Sequence, residues 1–278
     1  MKTKIWHQSF TVLSDVPTYR DALKNRIAKV VSPDTEVVMH GQIVGTYPSE
    51  YPGTDLKYEY LFELHGLQWI AAALQAEKEG YDGMVLASIP SPMIRQIRSL
   101  VNIPVVGYGE TAFHMSGLYG RKFGMLFFNI ERKDFWFEQT RKWGVSERFA
   151  GIAPAGVTFH EVAESLTNAQ LRKKVIQTII ESGEKMTHDL GADVIVPGEL
   201  PMNLLLAQEG VNQIGGATVI DGIATCYKML ETLIGLKKVS GMTPSERGYF
   251  HDRPERARVM EVLKFYGLDN LGDRIQVD

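Results

Sequence analysis

Gly80-Tyr-Asp-Gly-Met-Val-Leu-Ala-Ser-Ile-Pro90 and Gly191-Ala-Asp-Val-Ile-Val-Pro-Gly-Glu-Leu-Pro201 are two versions of one stretch. Asp82 matches Asp193, Val85 matches Val196 and Pro90 matches Pro201, all at an offset of 111 residues. A second pair follows at nearly the same distance: Pro104-Val-Val-Gly-Tyr-Gly-Glu-Thr-Ala112 and Ala217-Thr-Val-Ile-Asp-Gly-Ile-Ala-Thr225. Each block reads as buried strand, turn and helix, a short apolar run closed by Gly or Pro. A period this long marks an internal duplication, not a solenoid. It predicts two similar α/β halves facing each other, with Ser88 and Glu199 at equivalent strand ends.

Outward from these blocks the same alternation continues. Short apolar runs at 5–10, 36–40, 84–87, 104–107, 123–128, 194–197 and 218–220 read as strands. The stretches 19–31, 60–79, 93–100, 111–119, 133–143, 170–190, 222–236 and 255–266 read as helices. Strands that alternate with helices imply parallel sheets covered on both faces. The segment 41–57 carries Tyr47, Pro48, Tyr51, Pro52 and Gly53, too long and too broken for a tight turn, and reads as a loop or lid. The expected division is 1–118 plus 221–278 for one domain, its C-terminal part crossing back, and 119–220 for the other.

The 278 residues suffice for a sizeable core, and 44% hydrophobic with 23% charged residues is an ordinary globular balance. A net charge of −3 gives no reason to expect nucleic acid. One cysteine, Cys226, excludes an intramolecular disulfide and a cysteine-rich zinc site. With no leader or long apolar span in view, no membrane and a reducing cytoplasm are the expectation. The histidines His7, His40, His65 and His114 show no metal-ligand spacing, so no metal is expected.

In open α/β sheets ligands bind outside the carboxyl ends of the strands. That rule gathers Gln8 and Ser9, the segments 40–45, 88–92, 107–110 and 198–203, and Asp221 with Gly222. They come from both halves, so a site in the cleft between the domains is predicted.

The duplicated blocks, Pro-Val-Val-Gly-Tyr-Gly-Glu-Thr-Ala at 104–112, Val219-Ile-Asp-Gly222, the opening Lys4-Ile-Trp-His-Gln-Ser-Phe10 and the tail Ser245-Glu-Arg-Gly-Tyr249 together resemble the aspartate/glutamate/hydantoin racemase superfamily, in particular a hydantoin-racemase-like branch. The resemblance spans roughly residues 5–249. It implies two pseudo-symmetric flavodoxin-like domains, each a mainly parallel sheet flanked by helices, with no organic cofactor and with homo-oligomers. It also implies one cysteine after the central strand of each half: one thiolate removes a proton next to a carbonyl and the opposite thiol returns one. Here both cysteines are absent. Ser88 and Glu199 hold the matching positions, and Cys226 matches neither.

That exchange makes the site asymmetric. Thiols with pKa values of roughly 8.5 suit a two-base racemase, whereas a serine hydroxyl is too weak an acid to share the role unactivated. A glutamate starts at about 4.3 and is raised towards roughly 6–7 in a dry cleft, which suits a general base. Two chemistries fit. Glu199 shuttles a proton at an acidic carbon while Ser88 and backbone N–H groups after residues 88 and 199 steady an enolate oxygen, giving an isomerase or one-base epimerase. Alternatively Glu199 activates water or Ser88 in a hydrolase or carbon–carbon lyase, or the clamp binds a small ligand without turnover. Structural readings stand beside these: a strand-end Glu often flanks a helix cap, and a Ser there often is one.

Further candidates for substrate contact are Gln8, Ser9, His40, Ile89, Glu110, Thr111, Leu200, Asn203 and Arg247. Glu110 opens a helix, where a carboxylate suits the dipole in any case. Arg247 in the polar tail offers a bidentate partner for a carboxylate. Gly107-Tyr-Gly109 lacks the full dinucleotide pattern. The expected function is cofactor-independent proton transfer on a small carbonyl, carboxylate or cyclic amide compound.

Overall fold

The computed structural model describes residues 2–128, 130–275 and 277, so the outermost positions of the expected first domain, 1 and 278, lie outside the described residues. The order is β1 (Thr3–Ser9), α1 (Pro17–Val30), β2 (Thr35–His40), α2 (Gly53–Leu56), α3 (Glu59–Lys78), β3 (Gly83–Ala87), α4 (Ile94–Arg98), β4 (Val105–Gly107) and α5 (Tyr108–Tyr119). It continues with β5 (Phe123–Phe127), α6 (Lys133–Lys142), β6 (Phe149–Pro154), α7 (Phe159–Ser165), α8 (Ala169–Leu190), β7 (Val194–Pro197) and α9 (Leu200–Gln208). The last elements are β8 (Gln213–Ile214), β9 (Ala217–Val219), α10 (Gly222–Ser240) and α11 (Arg256–Phe265).

Among the described residues two sheets form. The first has the order β2-β1-β3-β4 and the second β6-β5-β7-β9-β8. Among these strands the pairings are parallel except in the β8–β9 hairpin, and His40 of β2 makes a single antiparallel bridge to Val277. Leaving that hairpin strand aside, the second order repeats the first: β5 stands for β1, β6 for β2, β7 for β3 and β9 for β4. β3 and β7 are thus equivalent central strands, buried at every residue, as a strand covered on both faces must be.

The matched aspartates do matched work. Asp82 accepts a hydrogen bond from the Lys4 N–H (2.8 Å), and Asp193 accepts from the Arg121 and Lys122 N–H groups (2.9 and 2.8 Å). Each carboxylate pins the start of the neighbouring strand, β1 or β5, to its own central strand. α8 is capped by Asn168, which accepts from the Gln170 and Leu171 N–H groups, and ends at Gly191 in the left-handed region. Asp221 caps α10 by accepting from Ala224 N–H.

α10 packs against α5, α1, β3 and β4, that is, on the first sheet. Val259, Leu263 and Ile275 pack beneath it on the α3 side. A central apolar cluster including Ile5, Val85, Phe113, Phe123, Val194 and Ile223 runs through both halves. Two outer clusters lie under α3 and under α8. No helix among the described residues is long and apolar enough to cross a membrane.

Candidate active site

In each sheet the strand order reverses beside the first strand, between β1 and β3 and between β5 and β7, and such switch points open crevices at the carboxyl ends. The four strand ends surround one cavity of about 100 Å³. β1 contributes Ser9, Phe10 and Thr11, β3 contributes 87–90, β5 contributes Phe127 and, in the turn after it, Arg132, and β7 contributes 199–201. Ser88 and Glu199 therefore line the same space, from opposite sheets.

Local chemistry fixes both positions. Ser88 heads a turn in which its carbonyl accepts from the Ser91 N–H (3.2 Å) and hydroxyl (3.0 Å). The turn is strained: Ser91 and Met93 hold φ values of 45° and 56°, uncommon for residues with a side chain. It is seated on Gly107 and Gly109, where a Cβ would overlap Ser91 Oγ and the Ile89 carbonyl oxygen. Those glycines serve close packing. Glu199 occupies the N-cap position of α9 in extended conformation, but its side chain caps nothing. Gly198 before it lets the chain pass against the Leu126 carbonyl and the Phe127 ring.

The walls are apolar and aromatic: Phe10, Tyr19, Tyr51, Leu56, Ile89, Phe127, Trp136, Phe159 and Leu200. Burial among them, opposed by the charge of Arg132, pushes the Glu199 carboxyl up to about 8. Burial also raises the phenols of Tyr19 and Tyr51, and the Glu199 charge adds to both shifts. For Arg132 burial works against the charge, while Glu199 and Tyr51 favour it. The guanidinium stacks over Phe135, 4.4 Å from the ring centroid. The loop 41–57 reaches the cavity through Tyr51, Pro52, Gly53, Leu56 and Lys57, and Tyr51 stacks on Phe159 across it (4.7 Å between centroids).

Of the expected contacts, Ser9, Ile89 and Leu200 line the cavity with Ser88 and Glu199. Six others lie elsewhere. The Gln8 amide donates to the Gly41 and Ser9 carbonyls and accepts from Trp6 Nε1, so it holds backbone together. His40 is stacked flat on Trp6 (3.4 Å, 3°) and buried; burial lowers its pKa to about 4 and keeps it neutral. Glu110 is held by both terminal nitrogens of Arg98 (2.9 and 2.6 Å). Thr111 is buried in α5, its hydroxyl beside Cys226. Asn203 accepts from the Tyr108 hydroxyl (2.8 Å) and Ile223 N–H (3.1 Å) and donates to Asp221 (3.1 Å). Arg247 is exposed in the tail.

Arg132, Tyr19, Phe127, Trp136 and Phe159 were not among the sequence candidates. The strand-end rule does point to Arg132 once it is extended to β5, whose following turn (Ile130–Arg132) enters the cavity. Among the described residues no cluster of three or more His, Cys, Asp or Glu suits a metal ion.

Residues 63–230 match the family of Asp/Glu/hydantoin racemases. The chain belongs to that family. Its relatives include a hydantoin racemase of Paenarthrobacter aurescens, 25% identical over 84% of this chain and 97% of that one. Another is a hydantoin racemase of Pseudomonas sp. (strain NS671), 23% identical over 86% of this chain and 96% of that one. The fold is shared with an allantoin racemase from Klebsiella pneumoniae, with a TM-score of 0.71 and 19% identity, covering 92% of this chain and 95% of that one. Membership of the racemase family makes the protein an isomerase-type enzyme, with the two-lobed α/β fold expected from the repeat.

Proposed function

We propose that the enzyme moves a proton at the carbon next to a carbonyl in a small molecule held between the lobes, with Glu199 as general acid/base. The ionised carboxyl takes the proton, the electron pair moves onto the carbonyl oxygen, and the protonated carboxyl returns the proton to the same or a conjugated carbon. The Ser88 hydroxyl and the Ile89 and Leu200 N–H groups stand at the two strand ends as donors for the enolate oxygen. This chemistry asks for no organic cofactor. One observation carries the reading: a carboxyl pushed to about 8 in an apolar cavity, at the strand end equivalent to that of Ser88. A group that titrates near the working pH is matched to both taking and giving a proton.

Relatives named for hydantoin and allantoin put cyclic amides among the candidate substrates, beside open-chain carbonyl compounds and carboxylates. The test incubates 2-substituted carboxylates, their amides and 5-substituted hydantoins with wild type and Glu199→Gln in D₂O. Deuterium entering recovered substrate or its isomer with wild type, and about 10²–10⁴-fold more slowly with the variant, is the expected result. A product that instead gains oxygen from H₂¹⁸O would assign the site to hydrolysis and overturn the proposal.

A further inference from the structure

Arg132 is a partly buried cation in the cavity wall, and among the described residues no carboxylate forms an ion pair with it. The Coulombic influence of Glu199 reaches it, but the two make no direct contact, and aromatic rings take up its faces instead. A desolvated guanidinium without an anion is costly, and a bound anion removes that cost. A second basic residue on the wall, Lys57, stands exposed on the lid segment and adds positive potential near the cavity. Among the described residues Glu199 is the only acid lining the cavity, and as the base it is not free to pair with an ammonium group. The remaining surface is aromatic and aliphatic. Trp136 in that surface has a buried indole N–H with no partner among the described residues, a second unused donor.

Resting on the proton-transfer reading of this cavity, we infer that the substrate is a carboxylate with an apolar or aromatic substituent and no ammonium group, and that Arg132 is the residue that selects it. The guanidinium takes the carboxylate in a bidentate pair, as its planar fork allows and a lysine would not. Tyr51, Phe159, Trp136 and Phe127 enclose the substituent. Pairing with Arg132 also draws electron density towards the carboxylate oxygens, which eases loss of the adjacent proton to Glu199.

Calorimetric titration tests this with phenylacetate, its neutral counterpart phenylacetamide, acetate and phenylalanine. Wild type is expected to bind phenylacetate at least about tenfold more tightly than each of the other three. Arg132→Met is expected to lose that preference and Arg132→Lys to keep part of it. Equal affinity for phenylacetate and phenylacetamide in wild type would overturn the inference, whatever the variants do. So would tighter binding of phenylalanine, or an unchanged preference in a folded Arg132→Met. Glu199→Gln separates the two levels. It is expected to retain the preference for phenylacetate over phenylacetamide while failing to exchange deuterium, so a failure of proton transfer and a failure of anion selection give different results.

Discussion

Glu199 combines two features that rarely coexist at a surface carboxylate: contact with a cavity and walls that disfavour its charge. Tyr19, Tyr51, Phe127 and Leu200 remove water, and only Arg132 works in the opposite direction. The proton held in the folded state has a consequence for stability. Glu199 is raised from 4.5 to about 8, so the folded chain holds a proton that the unfolded chain releases between those values. Its contribution is therefore fully favourable below about 4.5 and is lost as the pH rises through 8. Denaturant titrations should show wild type losing stability relative to Glu199→Gln across this window, by up to about 5 kcal/mol and by less where cavity water solvates the anion. Ser88 is a complementary case. Its hydroxyl makes no hydrogen bond with the described residues, so Ser88→Ala should leave the melting temperature nearly unchanged. As a donor to the enolate oxygen the hydroxyl should matter for turnover, which the same change is expected to slow about 10²-fold. Both positions were legible in the sequence because the repeat superposes them. Arg132 was not, since it lies in a turn with no counterpart in the repeated blocks. Gln8, Asn203 and Glu110 turn to internal ties instead of the cavity, because strand-end polar residues serve both uses and only side-chain direction separates them.

At the scale of elements, the geometry of the cavity depends on how closely turns approach one another. The Ser88 turn rests on the start of α5, and Gly109 allows the Ile89 carbonyl to sit where a methyl group would. Gly109→Ala should cost roughly 1–3 kcal/mol and disturb activity as well, because relief of the overlap must move the residue beside Ser88. Thermal unfolding and turnover of the same variant check both effects. Most elements could be read from apolar periodicity. β6 was missed. Its Phe-Ala-Gly-Ile-Ala-Pro run is broken by Gly151 and closed by Pro154, it lies at the sheet edge, and several of its residues are only half-buried. β8 was missed because it is two residues long, although Gly215 and Gly216 after it carry the positive φ values of a hairpin turn.

Across the whole molecule, the lobes are joined by an apolar cluster and by polar links, among them a buried knot. Tyr108, at the end of the first sheet, meets Asn203 of α9, which ties Asp221 and the Ile223 N–H, while Asp221 is ion-paired with Arg26 of α1. Asn203→Ala would leave the buried Ile223 N–H without its acceptor and the Tyr108 hydroxyl with the Pro197 carbonyl alone. It should lower global stability by about 1–3 kcal/mol with little change in denaturant m-value. The duplication explains why the lobes could be foreseen: equivalent strands force equivalent strand ends to face the same gap. What fills that gap comes from the non-repeated lid and from the turn after β5, which is why the aromatic, cationic character of the cavity emerged only from the folded chain. The decisive measurement is the pH dependence of solvent-deuterium uptake into a turned-over substrate, with wild type and Glu199→Gln side by side. Uptake that climbs through a single ionisation near pH 8 in wild type, and falls by orders of magnitude without that ionisation in the variant, is the expected result. Uptake of equal rate and equal pH profile in both proteins would contradict the role given to Glu199.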